Sequence, residues 1–239
     1  MNFPNEIFVG ERSFPVECEV INKRNSTVAL KNNTVRIKLS RFASVGKQGE
    51  ILEKFLKWAK KKLEKISWDF VLPVYEDGGR ICTNNKIYEL CIDIESRKNS
   101  TARLKDHVIE VKLPEGMAAR LREPKVMKLV DDLIMKDQLP YLCEVLDDLN
   151  QLYFQEEIRE IRFKKVKSRF GSCSRKRNIN IAFSLLFTPR EVFRYVCVHE
   201  LSHLKEMNHG KKFWNWVELA DPHYMESEKW LRNNGFLLG

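Results

Sequence analysis

Long apolar runs are missing from this chain of 239 residues, and so is the charged-then-apolar opening of a secretory signal, since it begins MNFPNEIFVGERSF. Nothing reaches the roughly 20 apolar residues that a membrane-spanning helix needs. The six cysteines, at 18, 82, 91, 143, 173 and 197, never stand as a CxxC pair. That argues against paired-thiolate zinc sites and suits free thiols in a reducing compartment, so a cytoplasmic protein without a membrane anchor is expected. There is no low-complexity linker and no evident internal repeat. Acidic residues are the minority, 33 against 42 Lys and Arg, and the net charge of +9 favours anionic partners without saying whether they are nucleic acid, nucleotide or acidic peptide. Histidine is scarce as well: there are five, yet three of them fall between 199 and 209.

Those three sit in His199-Glu200-Leu201-Ser202-His203-Leu204-Lys205-Glu206-Met207-Asn208-His209. On a helix, residues four apart lie one above the other, about 6 Å along the axis, so His199 and His203 can reach one metal ion. Glu200 is placed to take a proton from a metal-bound water. His209 comes too late to share the helical face, so the chain is expected to turn near Asn208, a residue type that tolerates the left-handed geometry of a helix end. Three neutral imidazoles leave a fourth position open, which marks a catalytic zinc site rather than a closed structural one. Upstream, Thr188-Pro189-Arg190-Glu191 has the form of a capping box with proline at the first helical position. Cys173 and Cys197 lie near the motif but read as small packing residues, because three histidines already suffice.

The remainder reads as β structure followed by helix. Residues 15–39 read as β, with 28–39 alternating around an Asn32-Asn33 turn, and residues 49–66 form an amphipathic helix whose lysines, Lys57, Lys60, Lys61, Lys62 and Lys65, lie largely off its apolar stripe, as a solvated face rather than the alternative, a binding patch. Strands return at 80–82, 86–94, 101–104 and 108–113. Pro114-Glu115-Gly116 then marks the expected boundary between a β-rich N-terminal region, 1–113, and a catalytic domain, 114–239. Two helices, 125–135 and 141–154, each follow a proline. Strands at 160–166 and 178–186 flank a basic loop, and helices are expected at 210–220 and 225–233. In that loop, seven of the fourteen residues from Lys164 to Arg177 are basic and none is acidic. If it borders the metal cleft, Lys167 and Arg169 can bind a carboxylate or phosphate, and Ser168 and Ser172 can add hydroxyl donors. The alternative is a charged hairpin tip that stays wet.

With HELSHL followed by NHGKKFW, and with KSRFGSCS and TPREV upstream, the chain resembles the YgjP-like family of zinc metallopeptidases, small zincins related to SprT-like domains. The residues that carry the resemblance are Lys167-Ser168-Arg169, Gly171-Ser172-Cys173, Pro189, His199-Glu200-Leu201, His203-Leu204, Asn208-His209, Phe213-Trp214, Pro222 and Trp230-Leu231, within about 161–236. Phe170 stands where the family usually has Trp, and Ala182 where the strand often has Asn. The resemblance implies an α+β, zincin-like metallohydrolase core with His199, His203 and His209 as Zn2+ ligands and Glu200 as base. Glu206 occupies the position of the metzincin glycine, which separates the chain from that group.

The expected activity is therefore zinc-dependent hydrolysis by an activated water with Glu200 as general base, a metallopeptidase first. The basic segment equally suits a phosphoanhydride, so a nucleoside triphosphate pyrophosphohydrolase is the alternative. A nucleic-acid-binding module is permitted by the charge but not favoured, because the aromatic residues fall at core-like positions and not among the loop's cations.

Overall fold

The computed structural model describes residues 3–31, 34–66, 70, 73–166 and 169–238. Its order is β1 (Glu6–Val9), β2 (Arg12–Ile21), β3 (Thr27–Lys31), β4 (Thr34–Ser40), α1 (Val45–Leu63), β5 (Arg80–Cys82), β6 (Ile87–Glu95), β7 (Thr101–Lys105), β8 (Val108–Pro114) and α2 (Ala119–Leu149). There follow β9 (Glu160–Lys164), β10 (Gly171–Cys173), β11 (Asn178–Ala182), α3 (Arg190–Lys205), α4 (Lys211–Ala220) and α5 (Tyr224–Asn234). This is the α+β class the sequence implied. No helix among the described residues is long and apolar enough to cross a membrane.

Two compact units result, one of Met1–Trp68 with Lys229–Gly239 and one of Asp69–Glu228. They do not divide after residue 113. The reason is packing: α2 lies on β7 and β8, so Ile109, Val111 and Leu113 share a core with Val126 and Val130. The β region from 80 onward therefore belongs with the metal-motif helix.

The first unit is a four-stranded sheet in the order β1-β2-β4-β3, with antiparallel outer pairs and β2 parallel to β4. Alternation decides its faces. Val35, Ile37 and Leu39 point into the core, while Arg36 and Lys38 face outward and pair with Glu17 and Glu19 across the sheet. Leu52, Ala59 and Leu63 of α1 are buried, and Ser44 caps that helix by accepting the Lys47 N–H at 3.3 Å. The Asn32-Asn33 turn lies outside the described residues, but the strands it joins pair from Lys31↔Thr34 onward.

The second unit opens with the same arrangement at a constant shift of 74 residues (Thr27 to Thr101, Val45 to Ala119). Its sheet runs β5-β6-β8-β7, and the register repeats pair by pair: Ile7↔Phe14 returns as Ile81↔Tyr88, Val16↔Val35 as Leu90↔Ile109, and Leu30↔Val35 as Leu104↔Ile109. The expectation of no internal repeat is thus corrected. Little identity survives outside Asn25-Ser26-Thr27 and Asn99-Ser100-Thr101, Leu30-Lys31 and Leu104-Lys105, and Lys38-Leu39 and Lys112-Leu113. Elsewhere only apolar character is kept, which is all the shared core requires.

Three local expectations also change. The two helices expected at 125–135 and 141–154 are one, α2, with Pro124 and Pro140 inside it. Pro140 is exposed, and the apolar stripe on either side of it, Val126, Val130, Ile134, Leu142, Leu146 and Leu149, is buried, which outweighs the cost of an interior proline, about 3 kcal/mol for its missing hydrogen bond and ring clash together. The strand expected over 178–186 ends at Ala182 and becomes a 3-10 turn, Phe183–Phe187. The capping box does not form either. The Thr188 hydroxyl donates to the Leu185 carbonyl at 2.8 Å, Pro189 is the cap, and α3 begins at Arg190 without a side-chain cap.

Candidate metal centre

Helix α3 packs on β10 and β11 of a three-stranded sheet in the order β10-β11-β9, with β10 antiparallel and β9 parallel to β11. Val192, Phe193, Val196, Cys197 and Leu201 are buried, which fixes the rotation of the helix and turns His199 and His203 to one side. The helix ends at Lys205, with Glu206 extended, and the chain bends through Met207 and Asn208. Asn208 does not take the left-handed conformation, since the non-glycine residues with positive φ are Asp106, Gln155 and Arg177. The turn still returns His209 to the other two rings.

All three imidazoles offer nitrogens within 4.8 Å of one another. Nε2 of His209 lies 3.1 Å from Nε2 of His199, and the ring centroids stand 4.7–5.0 Å apart. His203 Nδ1 lies 3.2 Å from the Glu206 carbonyl, which makes Nδ1 the donor and leaves Nε2 as the lone pair facing the cluster. Burial, helped by His203 and His209, pushes the His199 pKa down to about 3, and burial also lowers that of His203. Both rings are therefore neutral at neutral pH, the form a metal requires. No other group of three or more His, Cys, Asp or Glu side chains among the described residues is so placed.

Glu200 is 4% exposed, and its Oε2 has no hydrogen-bond partner among the described residues. Burial pushes its carboxyl up to about 8, against the opposing pull of the Arg169 guanidinium and a hydrogen bond from the Cys173 backbone. A buried acceptor left open beside three convergent imidazoles fits a site built for a metal and a water. Gly171 of β10 is the reason the carboxylate fits there at all. A Cβ at position 171 would lie 2.4 Å from Glu200 Oε1 and 2.7 Å from its Cδ and Cγ.

Beneath the rings lies Phe213 of α4, fully buried, with its centroid 4.9, 4.7 and 4.6 Å from those of His199, His203 and His209. Trp214 stacks on Tyr224 at 5.4 Å, and Tyr224 on Tyr195 at 6.3 Å, an aromatic wall beside His199 and His209. Sequence reasoning reached Phe213 and Trp214 only as part of a family pattern and did not single out Tyr195, Tyr224 or the role of Gly171. The available signal was an aromatic pair starting one helical turn after the last histidine.

Of the basic segment, Lys167 and Ser168 lie outside the described residues. Arg169 is exposed and close enough to Glu200 to act on its charge. Ser172, half-buried in β10, accepts the Asn180 side-chain N–H at 3.2 Å. The segment is not a uniformly wet hairpin tip. Its centre is a strand against α3, and Arg177, in the left-handed conformation (φ 61°), pairs with Glu156 at 2.6 Å, which also receives Lys205 at 2.9 Å. Cys197 is buried, and the Cys173 thiol is pushed up to about 11 by burial and by the Glu200 charge, so neither is a ready thiolate ligand.

Two solved structures resemble parts of the chain. The metallopeptidase zymogen abylysin of Pyrococcus abyssi is 23% identical with a TM-score of 0.36, covering 40% of this chain and 94% of its own. The zymogen jannalysin of Methanocaldococcus jannaschii is 26% identical with a TM-score of 0.32, covering 36% and 89%. No curated protein matches the sequence. None of these comparisons points to a nucleotide or nucleic-acid substrate. The YgjP-like metallopeptidase domain matches residues 24–234, nearly the whole chain, and the chain accordingly belongs to that family and is a metal-dependent hydrolase of the metallopeptidase class.

Proposed function

We propose that the chain is a zinc-dependent peptidase in which His199, His203 and His209 hold the metal and Glu200 is the general base. The observation that carries this reading is the convergence of three imidazoles beside a buried carboxylate whose Oε2 is open. Zinc, when bound there, supplies Lewis acidity towards the scissile carbonyl and acidity to the attacking water. Glu200 Oε2 accepts the proton of that water and then delivers it to the departing amine, so the base becomes the acid. Burial raises the proton affinity of the carboxylate in the metal-free protein, Gly171 leaves room for it, and the Cys173 N–H holds it in place. Phe213 fixes the planes of the imidazoles, and the Trp214–Tyr224–Tyr195 wall walls off one flank of the cluster.

Arg169 is the residue we assign to an acidic group on the substrate, with Lys167, Ser168 and Ser172 as its neighbours in sequence. The test is hydrolysis of a peptide pair, one with an acidic side chain near the scissile bond and one neutral, by zinc-loaded wild type and Arg169→Ala. The variant should lower kcat/KM about ten- to a hundredfold for the acidic peptide relative to the neutral one, the loss of one charge-assisted contact of roughly 1.5–3 kcal/mol. The ratio is the readout, because removing the guanidinium beside Glu200 affects both substrates alike. An unchanged ratio removes Arg169 from substrate binding. Hydrolysis of nucleoside triphosphates but of neither peptide would overturn the peptidase reading itself.

Gly171→Ala tests how the base is positioned. At 2.4 Å the new methyl and the Glu200 carboxylate cannot coexist, so the side chain must leave its slot. We expect turnover to fall about a hundredfold, an angstrom-scale misplacement, with metal content unchanged. Wild-type activity in a folded Gly171→Ala protein would show that the base is not held by this strand.

A further inference from the structure

The repeat makes one chain its own control. The sheets within residues 6–66 and 80–140 share topology and register, but the first copy carries 14 Lys and Arg against seven Asp and Glu, and the second 12 against ten. Across the units the contrast is complete. The unit of 1–68 and 229–239 has 16 basic and seven acidic residues, the unit of 69–228 has 26 of each, and the entire net charge of +9 lies in the first.

The helices show where the copies diverge. On α2, Lys128, Asp131, Asp132, Met135 and Leu139 lie on one face, by their spacing of three and four. That face is partly covered from within the chain: Asp131 is buried, Met135 and Leu139 are half-buried, and Lys165, just past β9, reaches Asp131 at 3.3 Å and Asp132 at 3.0 Å, while Lys128 and Asp132 stay exposed. Counted with the same shift of 74 residues from the helix starts (Val45 to Ala119), Lys54, Lys57, Trp58, Lys61 and Lys65 answer to those α2 positions on α1 and the turn after it, although the buried faces of the two helices part beyond the first turns, with Ile134 buried where α1 has the exposed Lys60. All five are exposed, Trp58 to 44%, and none of the four lysines makes an ion pair among the described residues. Where α2 carries an acidic pair on a partly covered face, α1 carries Lys57 and Trp58 on an open, basic one.

We propose that this face of α1 binds single-stranded nucleic acid, with backbone phosphates on Lys54, Lys57, Lys61 and Lys65 and a base stacked on Trp58. Four exposed lysines on one face, without an ion pair among the described residues and in the unit that holds the whole net charge, say that its partner is an anion. Two features select nucleic acid over an acidic protein. The stripe is all lysine, which suits phosphates as point charges, whereas carboxylates are more often gripped by the arginine fork. Its centre is an exposed indole, a sequence-tolerant platform for a base. The solvated lysine face expected from the sequence thereby acquires a ligand class, independently of the metal centre.

The experiment titrates a fluorescein-labelled 20-nucleotide oligothymidylate with the full chain over a range of salt concentrations, beside polyglutamate and phosphatidylserine-containing vesicles. Wild type should bind with a log–log salt slope of about −3, four phosphate contacts at roughly −0.7 each. Trp58→Ala should weaken binding roughly five- to a hundredfold with the slope unchanged. Replacing the four lysines with glutamine should flatten the slope and abolish most of the binding, while hydrolysis of a short neutral peptide stays as in wild type. Because every substituted side chain is exposed, far-UV circular dichroism should be unaltered. If a variant nevertheless misfolds, protection of Lys54, Lys57, Lys61 and Lys65 from acetylation by the bound oligonucleotide, read in wild type, decides in its place. No binding at low salt, binding unaffected by either variant, or preference for polyglutamate or vesicles over the oligonucleotide would each overturn the proposal.

Discussion

Glu200→Gln is expected to leave the metal content unchanged and to lower turnover about 10²–10⁴-fold, the range a positioned general base contributes. The substitution keeps the shape of the side chain, so the amide fits the slot against Gly171 that admits no Cβ. It also replaces a buried ionisable group with a neutral one, so thermal stability should hold or rise. What it removes is an acceptor for the proton of the attacking water. Glu200 sits on α3 one residue after His199 but touches β10, so it belongs to the helix in sequence and to the sheet in space. Metal content measured on the same sample separates loss of the base from loss of the metal. Activity within about tenfold of wild type, with the metal retained, would place the base elsewhere.

How far the sequence reveals such a site depends on whether its parts are local. His199, Glu200 and His203 are one helical turn, and 3.6 residues per turn determine their relation from spacing alone. The strand pairs around 27–40 and 101–114 were equally legible, because alternation of apolar and polar residues is a local signal. Three other features needed tertiary packing. Pro140 reads as a helix start, yet α2 runs through it because buried side chains on both sides outweigh one missing hydrogen bond. Thr188 reads as an N-cap, yet its hydroxyl is taken by Leu185 in the preceding 3-10 turn. Gly171 looks like one more loop glycine until the approach of Glu200 shows why no side chain can stand there. The duplication was hidden for a different reason. A core of this kind constrains apolar character and strand register more than identity, so Val35 and Ile109, or Ile37 and Val111, are equivalent in packing without being the same residue. Charge is free to diverge on the outside, and it did.

His199→Ala, His203→Ala and His209→Ala should each lose zinc and with it essentially all activity, a larger effect than loss of the base. Two of these side chains are carried by the helix. His199 is flanked by Phe213 and Tyr195, and His203 has its Nδ1 occupied by the Glu206 carbonyl, so both are orientated before a metal arrives. His209 is exposed, on the bend after α3, and rests on Phe213 at 4.6 Å. Of the three imidazoles, its position owes most to packing. Zinc binding should therefore show itself in stability as well as in activity. At a free concentration about a thousandfold above Kd, zinc should stabilise wild type by about 4 kcal/mol, provided it does not bind the unfolded chain. Each alanine variant should lose most of that gain while its metal-free stability changes little, and the metal-free wild type should resemble the variants. A chelator must reverse the shift in wild type and leave the variants where they are. If His209→Ala keeps the wild-type zinc affinity and the full thermal shift, the third ligand is another group. Glu226 and Glu228 on α5, both exposed carboxylates, are then the residues to substitute next.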